Sequence, residues 1–421
     1  MDEAALMTSQ AQSKVIWYCH PYAGAPSIGM SYRPYYFCKL FNQNGLSAHV
    51  ITASFHHMLV KKFPQSEQIE QRLVEDVSYI TVKTPEYEGN SWKRLLNMFT
   101  YAWRIYRNES SIMEITGKPD VIIVSSSHPL HFPFLKRIAA KYNAKLVFEV
   151  RDIWPLSLQK ILKIPAWHPF IMLLSWIEKK AYRKSDAVVS LLRNALPHMQ
   201  KKGLQPEKFH FIPNGVFTVD NLNPAKLDNY LLDKIAILKS EGKFLLGYTG
   251  SMGPPNALIY LVEAMDILQK STSNVHAILV GKGTQSTMLK RMIKNKNLLN
   301  IEILDEIPKT QISAFLNAMN ALYLGWNNID LYKYGTSPNK LYDYLFSGNP
   351  IIESGGEQPS IITFNQCGIQ CEAANPLKIA ESIELMANKS QEQLELMKSN
   401  AQKLVCEFDY LNLVKSYLRL F

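Results

Sequence analysis

The stretch Tyr334-Gly335-Thr336-Ser337-Pro338-Asn339-Lys340-Leu341-Tyr342-Asp343-Tyr344-Leu345-Phe346-Ser347-Gly348-Asn349-Pro350-Ile351-Ile352 reads as a small-residue turn, a short helix, a glycine stop and a buried strand. A helix entered near Pro338 leaves backbone N–H groups free, and such groups favour an anion. Lys340 falls in the first turn and adds a full positive charge. Asp343, further along, can accept hydrogen bonds from hydroxyls. A diphosphate joined to a sugar and a ribose fits this turn; a buried helix entry without ligand fits the same spacing.

On either side of this stretch the chain repeats the pattern. Short β-branched or aromatic runs alternate with amphipathic helices, at 15–18, 48–52, 121–125, 145–150, 187–191 and 209–212, then at 244–249, 275–281, 301–304, 321–324, 350–353 and 368–371. Near-continuous apolar strands separated by helices mean parallel sheets covered on both faces. About a dozen strands overfill one such sheet, so two α/β domains are expected. The break follows Ile212-Pro213-Asn214-Gly215, giving domains 1–213 and 214–403, with a helical tail, 404–421, able to pack on either. In open parallel sheets ligands bind outside the carboxyl ends of the strands, so a cleft between two such domains is the expected active site.

Composition agrees with two folded domains: 421 residues, 47% apolar and 19% charged. Residues 1–13 are polar and small, a frayed start without the basic and apolar regions of a signal peptide. No run of about 18 apolar residues suggests a spanning helix. Five cysteines at uneven spacing read as reduced thiols of a cytoplasmic protein. The net charge of +10 favours anionic partners. Nucleic acid is not among those expected, because the basic residues are spread and no recognition motif appears. HExxH, GxSxG and Walker A patterns are absent, and no metal-ligand spacing is present, so no cofactor or metal is expected.

Several strand-end loops carry chemistry. His20-Pro21-Tyr22-Ala23-Gly24-Ala25-Pro26-Ser27-Ile28-Gly29-Met30 follows the first strand, with small residues that admit either a ligand or a tight turn. Ser125-Ser126-Ser127-His128-Pro129 offers His128 as a hydroxyl partner, a proton carrier or a packing residue. Phe148-Glu149-Val150-Arg151-Asp152 places charges at a buried strand end, where they must pair. Either Arg151 and Asp152 hold each other, or one of them faces the cleft. In the second half, Gly250 opens a glycine turn, Gly281-Lys282-Gly283 ends the next strand with Lys282 available to an anion, and Ile307-Pro308 ends the third. Residues 164–184 form a Trp-bearing helix ending in cations, fitting a core position or an anionic membrane surface.

Taken together, these motifs resemble the retaining glycosyltransferases of family 4, which have the GT-B fold of two Rossmann-like, doubly wound domains facing across a cleft. The resemblance runs from about Tyr18 to the final helix. Gly29-Met30-Ser31-Tyr32-Arg33-Pro34-Tyr35-Tyr36 and Tyr87-Glu88-Gly89-Asn90 are similar to the bacterial branch that builds O-antigen, capsule and exopolysaccharide, including N-acetylfucosaminyl-type transferases. The resemblance implies a UDP-sugar in the second domain, its sugar N-acetylated in some relatives, and a saccharide or lipid-linked saccharide acceptor in the first. The enzyme would work in the cytoplasm or peripherally on the inner face of its membrane.

The family has two glutamates seven residues apart before Gly-x-Pro. Aligned on Gly348 and Pro350, the ribose-holding acid becomes Asp343, while the sugar-contacting glutamate is replaced by Gly335. The Arg and Lys frequent after the glycine turn are replaced by Ser251 and Asn256. The resemblance then implies donor contacts from Gly250, Lys282, Gly283, Ile307, Ser337, Pro338, Asn339, Lys340 and Asp343. It implies acceptor contacts from Gly24, Gly29 and Asp152, and catalytic parts for Lys340, Arg151 and His128. A GT-B epimerase and a non-catalytic nucleotide-sugar-binding subunit are the competing classes.

Overall fold

The structure is a computed structural model that describes residues 13–60, 63–89, 91–221, 224–271, 273–356 and 359–421. Most of the polar start, residues 1–12, and Asn90 of the Tyr87 motif lie outside them. The chain forms two compact units: residues 1–212 with 414–421, and residues 213–413.

In the first unit the strands are β1 (Val15–Cys19), β2 (Ser47–Ala53), β3 (Ile69–Val74), β4 (Val77–Val82), β5 (Val121–Ser126), β6 (Lys145–Val150), β7 (Ala187–Ser190) and β8 (Phe209–Phe211). They form one sheet in the order β3-β4-β2-β1-β5-β6-β7-β8. All neighbours run parallel except β3 against β4. That hairpin was not expected. Its edge strand, β3, carries Glu70-Gln71-Arg72 in its middle and so lacks an apolar run, and its turn uses Glu75 at φ 56° where a glycine would have announced it.

The second unit holds β9 (Phe244–Thr249), β10 (Val275–Val280), β11 (Ile301–Leu304), β12 (Ala321–Gly325), β13 (Ile351–Gly355) and β14 (Gly368–Glu372). Its order is β11-β10-β9-β12-β13-β14, all parallel. Strand order reverses between β1 and β5 in the first sheet and between β9 and β12 in the second. Chain ends diverge at such switch points and leave a crevice at the carboxyl edge. The two units are the Rossmann-like halves of the GT-B fold.

The expected single helix over 404–421 is two helices, Gln391–Val405 and Tyr410–Leu418. Asp409 breaks the run because its carboxylate accepts from the Leu411 N–H at 2.8 Å and its carbonyl from the Leu413 N–H at 2.9 Å, which starts a new helix. Leu404, Val405 and Phe408 belong to the second unit's core. From Val414 onward the chain belongs to the first unit, where the Tyr417 ring lies 4.6 Å from that of Phe37.

Candidate active site

In the second unit the loops after β9 and β10 are zipped by backbone. The Gly250 N–H donates to Val280 O (3.0 Å), Met252 N–H to Lys282 O (2.9 Å) and Gln285 N–H to Met252 O (2.9 Å). Gly281 sits at φ 144°, and a Cβ there would stand 2.0 Å from Gly250 O. One at Gly283 would stand 2.4 Å from Met252 O. These two glycines therefore admit neighbouring backbone. Gly250 differs: a Cβ there would stand 3.2 Å from Lys340 Nζ, so this glycine leaves room for the amine.

Lys340 rises from the first turn of the helix Asn339–Ser347, whose N-cap, Pro338, makes no side-chain capping bond. Its Nζ donates to Tyr248 Oη (2.6 Å) and Asn256 Oδ1 (2.7 Å) and lies 4.1 Å from the Tyr248 ring centroid. Among the described residues no carboxylate pairs with it. Burial pushes the amine down to about 7. A cation held only by neutral oxygens gains by meeting an anion. Asn256 hydrogen-bonds the amine arriving from this helix.

Other expected donor residues have partners of their own. Both Asp343 oxygens accept from Lys309 Nζ at 2.7 Å. Lys282 pairs with Glu306. Ile307 is half-buried against the second unit's core, and Asn339 is exposed. Ser337 is held by protein partners. Its hydroxyl accepts from the Asn214 N–H (2.9 Å) and meets Tyr342 Oη (2.8 Å), and its carbonyl accepts from Asn214 Nδ2 (2.7 Å). The serine is thus a bracket between the Pro213-Asn214-Gly215 segment and the helix entry.

In the first unit the paired acid at the end of β6 is Glu149, fully buried, with Arg33 Nε at 2.8 Å. It also accepts from Tyr18 Oη (2.8 Å), Ser125 Oγ (2.6 Å) and Tyr417 Oη. Burial alone would raise its pKa; the Arg33 charge and the hydroxyl donors outweigh that and hold it low. Arg151 is not locked to Asp152. Its guanidinium donates to His20 Nε2 and Ser31 Oγ, both at 2.7 Å, and Asp152 is exposed. Gly24 and Gly29 are buried, and their missing side chains make room for Gly29 O (2.1 Å from a Cβ on Gly24) and Met58 O (2.3 Å from one on Gly29). Here too the close approach is backbone on backbone.

Five of the ten histidines gather beyond the carboxyl ends of β1, β2 and β5: His20, His56, His57, His128 and His131. The Tyr22 ring lies 5.7 Å from His56, 5.3 Å from His57 and 5.8 Å from His128. Burial drives each imidazole toward its neutral form, His56 and His131 to about 3. His128 is fully buried and neither ring nitrogen has a hydrogen-bond partner. Buried polar atoms without partners are few in native proteins. His128 was expected; its four companions were quoted in no common site, although their positions just past apolar strands were visible. Among the described residues no three His, Cys, Asp or Glu side chains converge as metal ligands would.

Residues 29–219 match the profile named Glycosyltransferase Family 4, and residues 232–404 match Glycosyl transferases group 1. Among solved structures, a sucrose-phosphate synthase from Thermosynechococcus elongatus is 13% identical with TM-score 0.72, covering 97% of this chain and 98% of that one. HepE from Anabaena, in complex with UDP and glucose, is 12% identical with TM-score 0.62, over 96% and 98%. WaaG, a glycosyltransferase involved in lipopolysaccharide biosynthesis, is 12% identical with TM-score 0.65, over 96% and 98%. Among curated proteins none matches. With both units matched in order, the chain is a glycosyltransferase of the GT-B fold, a family 4 module followed by a group 1 module.

Proposed function

We propose that the chain moves a sugar from a UDP-sugar to a saccharide carried on a lipid, with retention at the anomeric carbon, in the assembly of a surface polysaccharide. The observation that carries the donor half is Lys340, an amine drawn out of water with no counter-ion among the described residues, beside a helix N-terminus without a side-chain cap. In this reading Lys340 and the helix N–H groups hold the diphosphate, and they stabilise the charge that grows on it as the glycosidic bond to the sugar breaks. Asp343 takes the ribose hydroxyls beside Lys309, and the Ile307 loop takes the base. Lys282 and Gly283 border the same edge.

The acceptor half is assigned to the first unit. His128 presents ring nitrogens for hydroxyls, Arg151 is held ready by His20 and Ser31, and Asp152 is exposed beside it. UDP and glucose in the HepE structure support the donor class. The involvement of WaaG in lipopolysaccharide biosynthesis supports a cell-surface polysaccharide, and the basic, Trp-bearing helix Pro169–Lys184 supports an acceptor met at a membrane surface.

A thermal-shift series with UDP, other nucleotides and their sugar conjugates tests the donor, because a ligand that binds only the folded state raises the melting temperature by mass action. UDP and one UDP-sugar should stabilise the chain. No shift with any nucleotide would contradict the reading.

A further inference from the structure

The helix Trp92–Arg107 is apolar on both sides. Met98, Tyr101, Ala102 and Ile105 face the core, while Trp92, Leu95, Leu96, Phe99 and Trp103 are between 40% and 69% exposed. The outward residues recur at helical spacing, so they form one continuous stripe along three turns. A helix with an apolar stripe on its outer as well as its inner face is expected to be covered on both. The only other exposed residues of this helix are Lys93 and Arg107, and residues 92–107 contain no acid.

A neighbouring surface has the same character. The helix Phe132–Tyr142 packs against both Trp92–Arg107 and Pro169–Lys184. The latter exposes Met172, Leu173 and Trp176 together with Lys179, Lys180, Arg183 and Lys184, while its one acid, Glu178, is buried against His198 at 2.8 Å. Lys180 Nζ lies 3.7 Å from the Trp176 ring centroid, and the Arg107 guanidinium 5.9 Å from that of Trp103. Indoles and cations side by side suit the depth at which acyl chains give way to headgroups.

We infer that the outer face of the Trp92–Arg107 helix docks this chain on an anionic phospholipid bilayer, with the Pro169–Lys184 helix as a second contact. The inference rests on the reading of a lipid-borne acceptor and adds the surface that meets the lipid. Charge selects the occupant. A second copy would bring the same cations face to face, whereas anionic headgroups neutralise them as the stripe enters the acyl boundary. No helix among the described residues is long and apolar enough to cross a membrane, so the contact is one of surface immersion.

Flotation with vesicles of equal parts phosphatidylcholine and phosphatidylglycerol, beside vesicles of phosphatidylcholine alone, tests it. The native chain should float with the anionic vesicles and be released by salt. Leu96→Glu with Phe99→Glu should weaken that binding about tenfold or more, since two apolar contacts are replaced by charges of the repelled sign. The melting temperature and its rise with UDP should stay unchanged in this variant. Native protein that does not float, or a variant that floats undiminished, would overturn the inference. So would a dimer in lipid-free solution that the same substitutions break without any vesicle binding. Flotation without a response to UDP would instead sink the donor reading and leave this one standing.

Discussion

At the carboxyl edge of the second sheet one amine, Lys340, lies among neutral oxygens beside a free helix N-terminus. At the same edge of the first sheet four histidines surround Tyr22, a fifth, His131, lies against His128, and burial keeps them uncharged. Both edges sit at a reversal of strand order and both use glycines to bring strand-end loops into contact, yet their electrostatics are opposite in kind. The first-sheet histidines offer neutral donors and acceptors, suited to hydroxyl groups. The second sheet offers an amine that burial has brought to about 7 and that an arriving anion would charge. What the contrast teaches is that one architecture, used twice, can carry opposite kinds of buried titratable group at the same edge: imidazoles held neutral in the first sheet and an amine held without a carboxylate among the described residues in the second.

Removing the charge from the second edge should have the largest effect. Lys340→Met keeps most of the side chain's apolar contacts and deletes the amine. Turnover (kcat/KM) with the donor identified by thermal shift should fall roughly 10²–10³-fold, as for one lost electrostatic contact to a leaving group. Kinetics unchanged by this substitution would erase the distinction between the two edges.

Acid should act on the first edge, and by a smaller amount. His56 and His131 stay neutral in the folded chain down to about 3, whereas an exposed histidine takes a proton near 6.5. Above that ordinary value both states are neutral and the contribution to stability is complete. As pH falls from there toward 3 the unfolded chain binds protons that the folded unit excludes. Stability should drop by about 1.4 kcal/mol per pH unit for each of the two imidazoles. Urea denaturation of the native chain followed down this range, beside His131→Phe, checks it: the variant should show the shallower loss. Equal slopes would mean that the first edge is not held neutral.

How much of this was legible depended on whether the signal was local. Each of the twelve apolar runs became a strand, because a parallel strand buried on both faces announces itself by composition. The β3–β4 hairpin interrupts its apolar residues with Glu70-Gln71-Arg72 and turns at Glu75 without glycine, so it was passed over. The tail's break at Asp409 depended on a side chain and carbonyl turning to cap a helix, which an amphipathic pattern does not reveal. Lys340 could be named because a helix entry with a lysine is a local motif. That Ser337 holds Asn214, and that Gly24 faces the carbonyl of Gly29, are tertiary facts invisible in either stretch by itself. The histidine group was scattered over more than a hundred residues and became one feature only when β1, β2 and β5 were placed side by side.

The central claim is that Lys340 meets the diphosphate, and its own titration measures that most directly. With the amine at about 7 in the free chain, an arriving anion draws its pKa back up, so binding must take up a proton. Calorimetric titration with UDP at about pH 8, in two buffers of different ionisation enthalpy, reads that uptake as a buffer-dependent heat. The account predicts net proton uptake by the native chain and none by Lys340→Met. Identical heats in the two buffers, or uptake that persists in the variant, would contradict it.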